Sequence, residues 1–166
     1  LTVNPVNDPP TLVDITAQTI NEDADPQSLT LSAGPGGGSD EAGQSVTLTA
    51  ASSNTALIPN PTIAGTTLSY TPAANQSGSA IITVTANDGQ SSNNTISKTF
   101  TLTVTPVNDP PVLSPIGPRS VNEGELLSIA LSASDVDGDA LSYSANSLPT
   151  GATLSGATFS WTPTYE

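Results

Sequence analysis

Residues 106–111 read Pro-Val-Asn-Asp-Pro-Pro, and residues 5–10 read the same six letters. About a dozen residues past each copy stands an apolar-Asn-Glu triplet, Ile20-Asn21-Glu22 and then Val121-Asn122-Glu123. Both landmarks are displaced by 101 positions, 108 − 7 and 121 − 20. A spacing held that strictly marks a tandem repeat of roughly 100 residues, long enough to bury its own core. The chain therefore reads as a piece of a repeat array, and the repeated acidic and amide residues fall at the repeat boundaries.

Outward from that boundary, apolar residues alternate with small polar ones, the period-two signature of half-buried strands. The inward positions of the first repeat are Leu29, Leu31 and Ala33; Val46, Leu48 and Ala50; Leu68 and Tyr70; Ala80, Ile82, Val84 and Ala86; and Ile96, Phe100, Leu102 and Val104. Clusters of Gly, Pro and Asn punctuate them, at residues 34–38, 59–61 and 87–89. With a leading strand over residues 12–20 the count reaches six or seven, which predicts an all-β chain of tandem immunoglobulin-like antiparallel sandwiches joined by short Pro-rich linkers. Cysteine is absent, so no disulfide or thiolate site contributes.

The second repeat restates the pattern. Leu127, Ile129, Leu131 and Ala133 match the Leu29 strand, Leu141, Tyr143 and Ala145 match the Val46 strand, and Phe159-Ser160-Trp161-Thr162-Pro163 matches Leu68-Ser69-Tyr70-Thr71-Pro72. Equivalents of residues 81–86 and 96–104 do not occur before Glu166. The expected organisation is residues 1–8 as the tail of a preceding unit, 9–108 as a complete sandwich and 109–166 as the first part of another. Either the missing strands lie in a longer chain, or a neighbouring chain supplies them by strand addition. Matching Tyr70 and Trp161 are expected to pack in cores and not to form a sugar-stacking platform.

Fifteen acidic residues face only Lys98 and Arg119, a formal net charge of −13 with no histidine. Nucleic acid and anionic membrane are poor partners for such a chain, and its self-repulsion invites cations. No apolar run approaches the roughly 20 residues needed to span a bilayer, so no direct membrane insertion is expected. Catalysis finds no support: there is no His or Cys nucleophile system, and the glycines at 36–38 lack the Lys and helix of a phosphate loop. Lys98 shares the inward parity of Ile96 and Phe100, where a buried ammonium is costly. A strand bulge that turns it outward is expected, with an isopeptide crosslink to Asn as the alternative.

The strongest chemical constellation is Asp135-Val136-Asp137-Gly138-Asp139, three carboxylates at alternate positions in a tight loop. Alternation is expected to turn them toward one point, and hard cations such as Ca2+ take about 6 to 8 oxygen ligands. It is not an EF-hand, because Gly stands at the fourth loop position and Asn146 at the twelfth. Asp and Gly also favour solvated turns without any metal.

The boundary hexapeptide, the early Glu, the acidic loop and the Ser160-Trp161-Thr162-Pro163 strand together resemble bacterial cadherin-like tandem repeats. The second unit is similar to the dystroglycan-type cadherin-like, putative-Ig subfamily. That resemblance implies calcium between successive domains, held by an early Glu upstream, by the linker and by an acidic loop downstream. Here it implies Glu22, Asn108, Asp109, Asp135, Asp137 and Asp139 as metal ligands, with Asp88 as a further candidate at the same end. Asn7 and Asp8 would belong to an upstream junction and Glu123 to a downstream one. In the first repeat Gly34-Pro35-Gly36-Gly37-Gly38-Ser39-Asp40-Glu41 replaces the acidic loop, which puts calcium at the upstream junction in doubt and predicts a looser joint there.

The implied function is a non-enzymatic structural or adhesive repeat segment of a large secreted or cell-surface bacterial protein, stiffened by Ca2+. Its partners would be neighbouring repeats, identical chains in an extracellular assembly, or surface glycans or proteins. The alternatives are a filament or surface-layer subunit assembled by strand complementation, and an accessory glycan-binding module of a polysaccharide-degrading enzyme.

Overall fold

The structure is a computed structural model that describes residues 4–164. The reading of Leu1-Thr2-Val3 as the tail of a last strand therefore lies outside the described residues. The chain divides into two compact units, Leu1–Val107 and Asn108–Glu166. Every regular element among the described residues is a β-strand, and the architecture is that of tandem immunoglobulin-like β-sandwiches.

The first unit contains β1 (Thr11–Leu12), β2 (Gln18–Asn21), β3 (Gln27–Thr30), β4 (Ala33–Gly34), β5 (Thr47–Ser52), β6 (Thr62–Ala64), β7 (Thr67–Tyr70), β8 (Gly78–Asn87) and β9 (Thr95–Thr105). One sheet runs β2-β9-β8-β5, a second runs β3-β7-β6, and β1 pairs with β4. The pleat sends alternate side chains to opposite faces. Ala80, Ile82, Val84 and Ala86 of β8 and Phe100, Leu102 and Val104 of β9 are accordingly buried against Leu68 and Tyr70 of β7. Leu57 and Ile58, from the segment before β6, close the same cluster. Ile82, Leu68 and Leu102 have no exposed surface at all, and complete burial of such a side chain is worth about 1.5–3 kcal/mol.

Three expectations change here. The leading strand is two strands, because its first part pairs with β4 while its second part pairs with β9 in parallel, Gln18 opposite Leu102 through Asn21 opposite Thr105. The Leu29 run likewise divides, with β3 on β7 and β4 on β1. Lys98 sits in unbroken register opposite Val84, with no bulge. Its stem follows the inward face and its ammonium escapes at the margin to meet Asp14 Oδ1 at 2.6 Å. A long aliphatic stem permits this, because it lies on apolar surface while the charge reaches water.

The second unit contains β10 (Val112–Leu113), β11 (Leu127–Ala130), β12 (Ala133–Ser134), β13 (Thr153–Ser155) and β14 (Thr158–Trp161). It repeats the crossover of the first in detail: Leu131 N donates to Ala157 O as Leu31 N donates to Thr66 O. No strand forms over residues 141–145, contrary to the match with the Val46 strand. A strand needs a backbone partner, and β5 finds its ladder on β8, which has no counterpart among the described residues of the second unit. Phe159 and Trp161 stay half-exposed where Leu68 and Tyr70 are buried. Among the described residues, all the buried core side chains belong to the first unit.

Residues 1–107 expressed alone are therefore expected to melt cooperatively. Residues 108–166 alone are expected to give no cooperative transition by calorimetry, since no apolar side chain among their described residues is fully buried. A sharp melt of the shorter fragment would contradict this account.

Candidate functional site

Both repeat boundaries are held to their units by carboxylates that accept backbone N–H groups. At the exit of the first unit, Glu22 follows β2 directly, and its own N–H donates to Thr105 O at 2.9 Å. Its side chain, 5 % exposed, turns back so that Oε1 accepts the N–H of Val107 at 2.7 Å. Thr105 Oγ1 adds a bond to Asn21 Oδ1 at 2.8 Å. The parallel pairing of β2 with β9 thus places Glu22 beside the last residues of the unit.

At the entry of the second unit, Asp137 Oδ2 accepts the N–H of Asp109 at 2.7 Å. Asp135 does not join it in pointing outward. Its Oδ1 accepts the N–H groups of Asp137 at 3.0 Å and Asp139 at 3.2 Å, fastening the loop around Gly138 at a φ of 79°. This corrects the expected convergence. Strand-like alternation does not survive a tight turn, and one carboxylate is spent closing the loop. Among the described residues no three acidic groups are gathered to hold a metal. Asn108 Nδ2 donates to the Asp109 carbonyl at 3.0 Å, and Asp139 and Glu123 are exposed.

Asp88 is misplaced in the sequence reading. Asn87 pairs with Thr95 and Asn21 with Thr105, so β9 separates Asp88 from Glu22 by ten residues, about 34 Å at about 3.4 Å per residue. Asp88 belongs to the upstream end, where Oδ2 accepts from Asn7 Nδ2 at 3.1 Å and Oδ1 from the Gln90 N–H at 3.0 Å. The NDG turn shows that Asp88 sits at a strand end, but which end depends on strand direction.

The sequence reading also missed Glu41, which is 2 % exposed and accepts the Asp8 N–H at 3.2 Å. Asp8 and Asp109 are repeat equivalents, so Glu41 fills in the first unit the place that Asp137 fills in the second. Two acidic letters after the glycine run were the available signal, hidden by the different loop length.

The described residues 7–105 match the model of the family described as "Bacterial Ig domain". The chain belongs to this family. Residues 110–166 match a second family, "Putative Ig domain". This bacterial Ig chain is 35 % identical over 135 residues to a chitinase A of Pseudoalteromonas piscicida, covering 80 % of the chain but 14 % of the relative. Among solved structures it resembles titin domains Z1Z2 in complex with telethonin, at 11 % identity and a TM-score of 0.40, covering 94 % of this chain and 81 % of that one. It also resembles Bacteroides ovatus SGBP-B in complex with a mixed-linkage heptasaccharide, at 14 % identity and a TM-score of 0.44, covering 96 % of this chain and 41 % of that one.

Tyr70 of the Ig sandwich is 5 % exposed, which makes it a core residue, whereas Trp161 is half-exposed with its Nε1–H on Thr150 O at 3.2 Å. Burial raises the Tyr70 pKa above its ordinary 10.0. The folded state then holds the neutral phenol while the unfolded chain ionises, so the contribution of Tyr70 is complete below about pH 10 and declines as pH rises through the folded value. Urea midpoints of the native chain should fall faster above pH 10 than those of Tyr70→Phe; parallel pH profiles would refute this. Glu22→Ala, which leaves the Val107 N–H without its acceptor, should cost about 1–3 kcal/mol in urea denaturation. Glu22→Gln, which keeps an acceptor oxygen, should cost less, and equal losses would show that shape and not hydrogen bonding is at stake.

Proposed function

We propose that this chain is a non-catalytic spacer segment of a larger secreted or cell-surface bacterial protein, with joints built to restrict the linker between successive Ig units. The observation that carries this reading is the pair of carboxylate anchors on one linker. Glu22 holds Val107 within the first unit and Asp137 holds Asp109 within the second, so Asn108 is the sole residue between the two anchored amides. Pro106, Pro110 and Pro111 restrict the backbone on either side. A flexible tether would contain neither device.

Calcium is the ion proposed for the Asn108 joint, with Asp109, Asp135, Asp137 and Asp139 as donors and Glu22 as the upstream contributor. Hard carboxylate oxygen supports this choice, as does a net charge of −13 that a divalent cation would relieve. Binding requires the exposed side chains of the acidic loop to rotate off their amide partners and converge. Titration calorimetry on the intact chain should then give a dissociation constant on the order of 10⁻⁴ to 10⁻³ M, as for other extracellular modules. At about 100 times that concentration, linkage would add about 2.7 kcal/mol to the stability of the folded state that binds it. Asp135→Asn combined with Asp137→Asn should abolish the heat. No heat from the unmodified chain would remove calcium from the proposal and leave the hydrogen-bonded anchors standing.

A second reading places the segment beside the catalytic part of a polysaccharide-degrading enzyme, and the chitinase relative favours it. On this reading the Ig units set the distance between enzyme and anchor or binding module. Retention of the chain on insoluble chitin would extend the role to glycan binding, whereas recovery in the unbound fraction would restrict it to spacing.

A further inference from the structure

We infer that the boundary at Asn7 is locked by a metal-independent clasp, in which the glycine-rich loop of the first unit replaces an acidic one. There Glu41 and Asp88 fasten the linker to the unit that follows it.

The clasp has two jaws. On one side Glu41 Oε1 accepts the Asp8 N–H at 3.2 Å, and Glu41 Oε2 accepts from Gln44 Nε2. The same Gln44 amide donates to Asn7 Oδ1 at 2.9 Å. On the other side the Asn7 amide donates to Asp88 Oδ2 at 3.1 Å and to Ser92 O at 2.9 Å, and Asn93 Nδ2 donates to Asn7 O at 3.1 Å. Glu41 and Asp88 are 2 % and 4 % exposed. Each of their four carboxylate oxygens already faces an N–H donor, which is the polarity that a cation would have to displace.

The glycines explain how the loop comes this close. Gly36 and Gly37 have φ of 83° and 52°, a left-handed conformation that glycine adopts without a Cβ penalty. A Cβ on Gly36 would strike the Pro9 carbonyl, and one on Gly37 would strike the Glu41 stem and lie 3.0 Å from Asp8 Oδ2. The backbone therefore lies flush against the linker along residues 8–9, where any side chain would hold it off. What looked like the loss of an acidic loop is a different way of gripping the same residues.

Amide hydrogen exchange of the intact chain, read by NMR at Asp8, tests this. The Asp8 amide should be protected, equally with chelator and with added CaCl2. Gly37→Ala and Glu41→Ala should each accelerate its exchange roughly tenfold or more, as expected for loss of a hydrogen bond to a charged acceptor. The amides of Val84 and Leu102 should keep their protection, which separates an opened clasp from an unfolded unit. Exchange at Asp8 that speeds up under chelator would overturn the inference. So would two substituted chains that fold and leave Asp8 unchanged.

Discussion

The first unit depends on the pairing of β8 with β9. These two strands run side by side over ten residue pairs, from Gly78 opposite Val104 to Asn87 opposite Thr95, and they supply more than half of the buried apolar cluster. Everything else is placed relative to them: β5 lies on β8, β2 lies on β9, and β7 covers their inner face. The second unit shows the same interaction by contrast. It reproduces the crossover strands and the turn before β14, yet its aromatic residues remain half-exposed, and no counterpart of the β8–β9 pair occurs among its described residues to cover them.

That hairpin also sets the position of the joints. Since β8 ends where β9 begins, Asp88 is carried to the upstream end of the sandwich; since β2 runs parallel to β9, Glu22 is carried to the downstream end. Each boundary hexapeptide thus meets a carboxylate delivered by the fold: Asp88 accepts the side-chain amide of Asn7, and Glu22, Asp137 and Glu41 accept main-chain N–H groups. Such a bond suits a linker between prolines. The amides at positions 107 and 109 have no strand to donate to, and a buried or half-buried donor left unmatched is costly.

Much of this was legible in the sequence because alternation and repeat spacing are local signals. The inward positions of β7, β8 and β9 follow from parity alone, the architecture follows from the strand count, and the kinship with bacterial repeat domains rests on the boundary hexapeptide and its companion motifs. What parity could not reveal was partner choice. Nothing in residues 12–20 says that the chain leaves one sheet for the other midway, and nothing in residues 141–145 says that their ladder is missing. Lys98 failed for a related reason: parity gives the face of a residue but not its distance from the margin, where a long stem can reach Asp14. At the site, the two anchors at Glu22 and Asp137 fell on residues already singled out. The role of Glu41 did not, because it depends on a glycine loop whose importance lies in side chains it does not have.

The parallel pairing of β2 with β9 has a mechanical meaning. In an array held at both ends, tension enters the first unit near its start and leaves at Val107, just beyond β9. Because β2 and β9 point the same way, a pull that draws them apart along their length loads the rungs from Gln18 opposite Leu102 to Asn21 opposite Thr105 together, in shear. An antiparallel pair at the same place would present its rungs one at a time, like a zipper. The short crossover that looked like an irregularity of the leading strand is thus the element that a pull along the chain would load as a block.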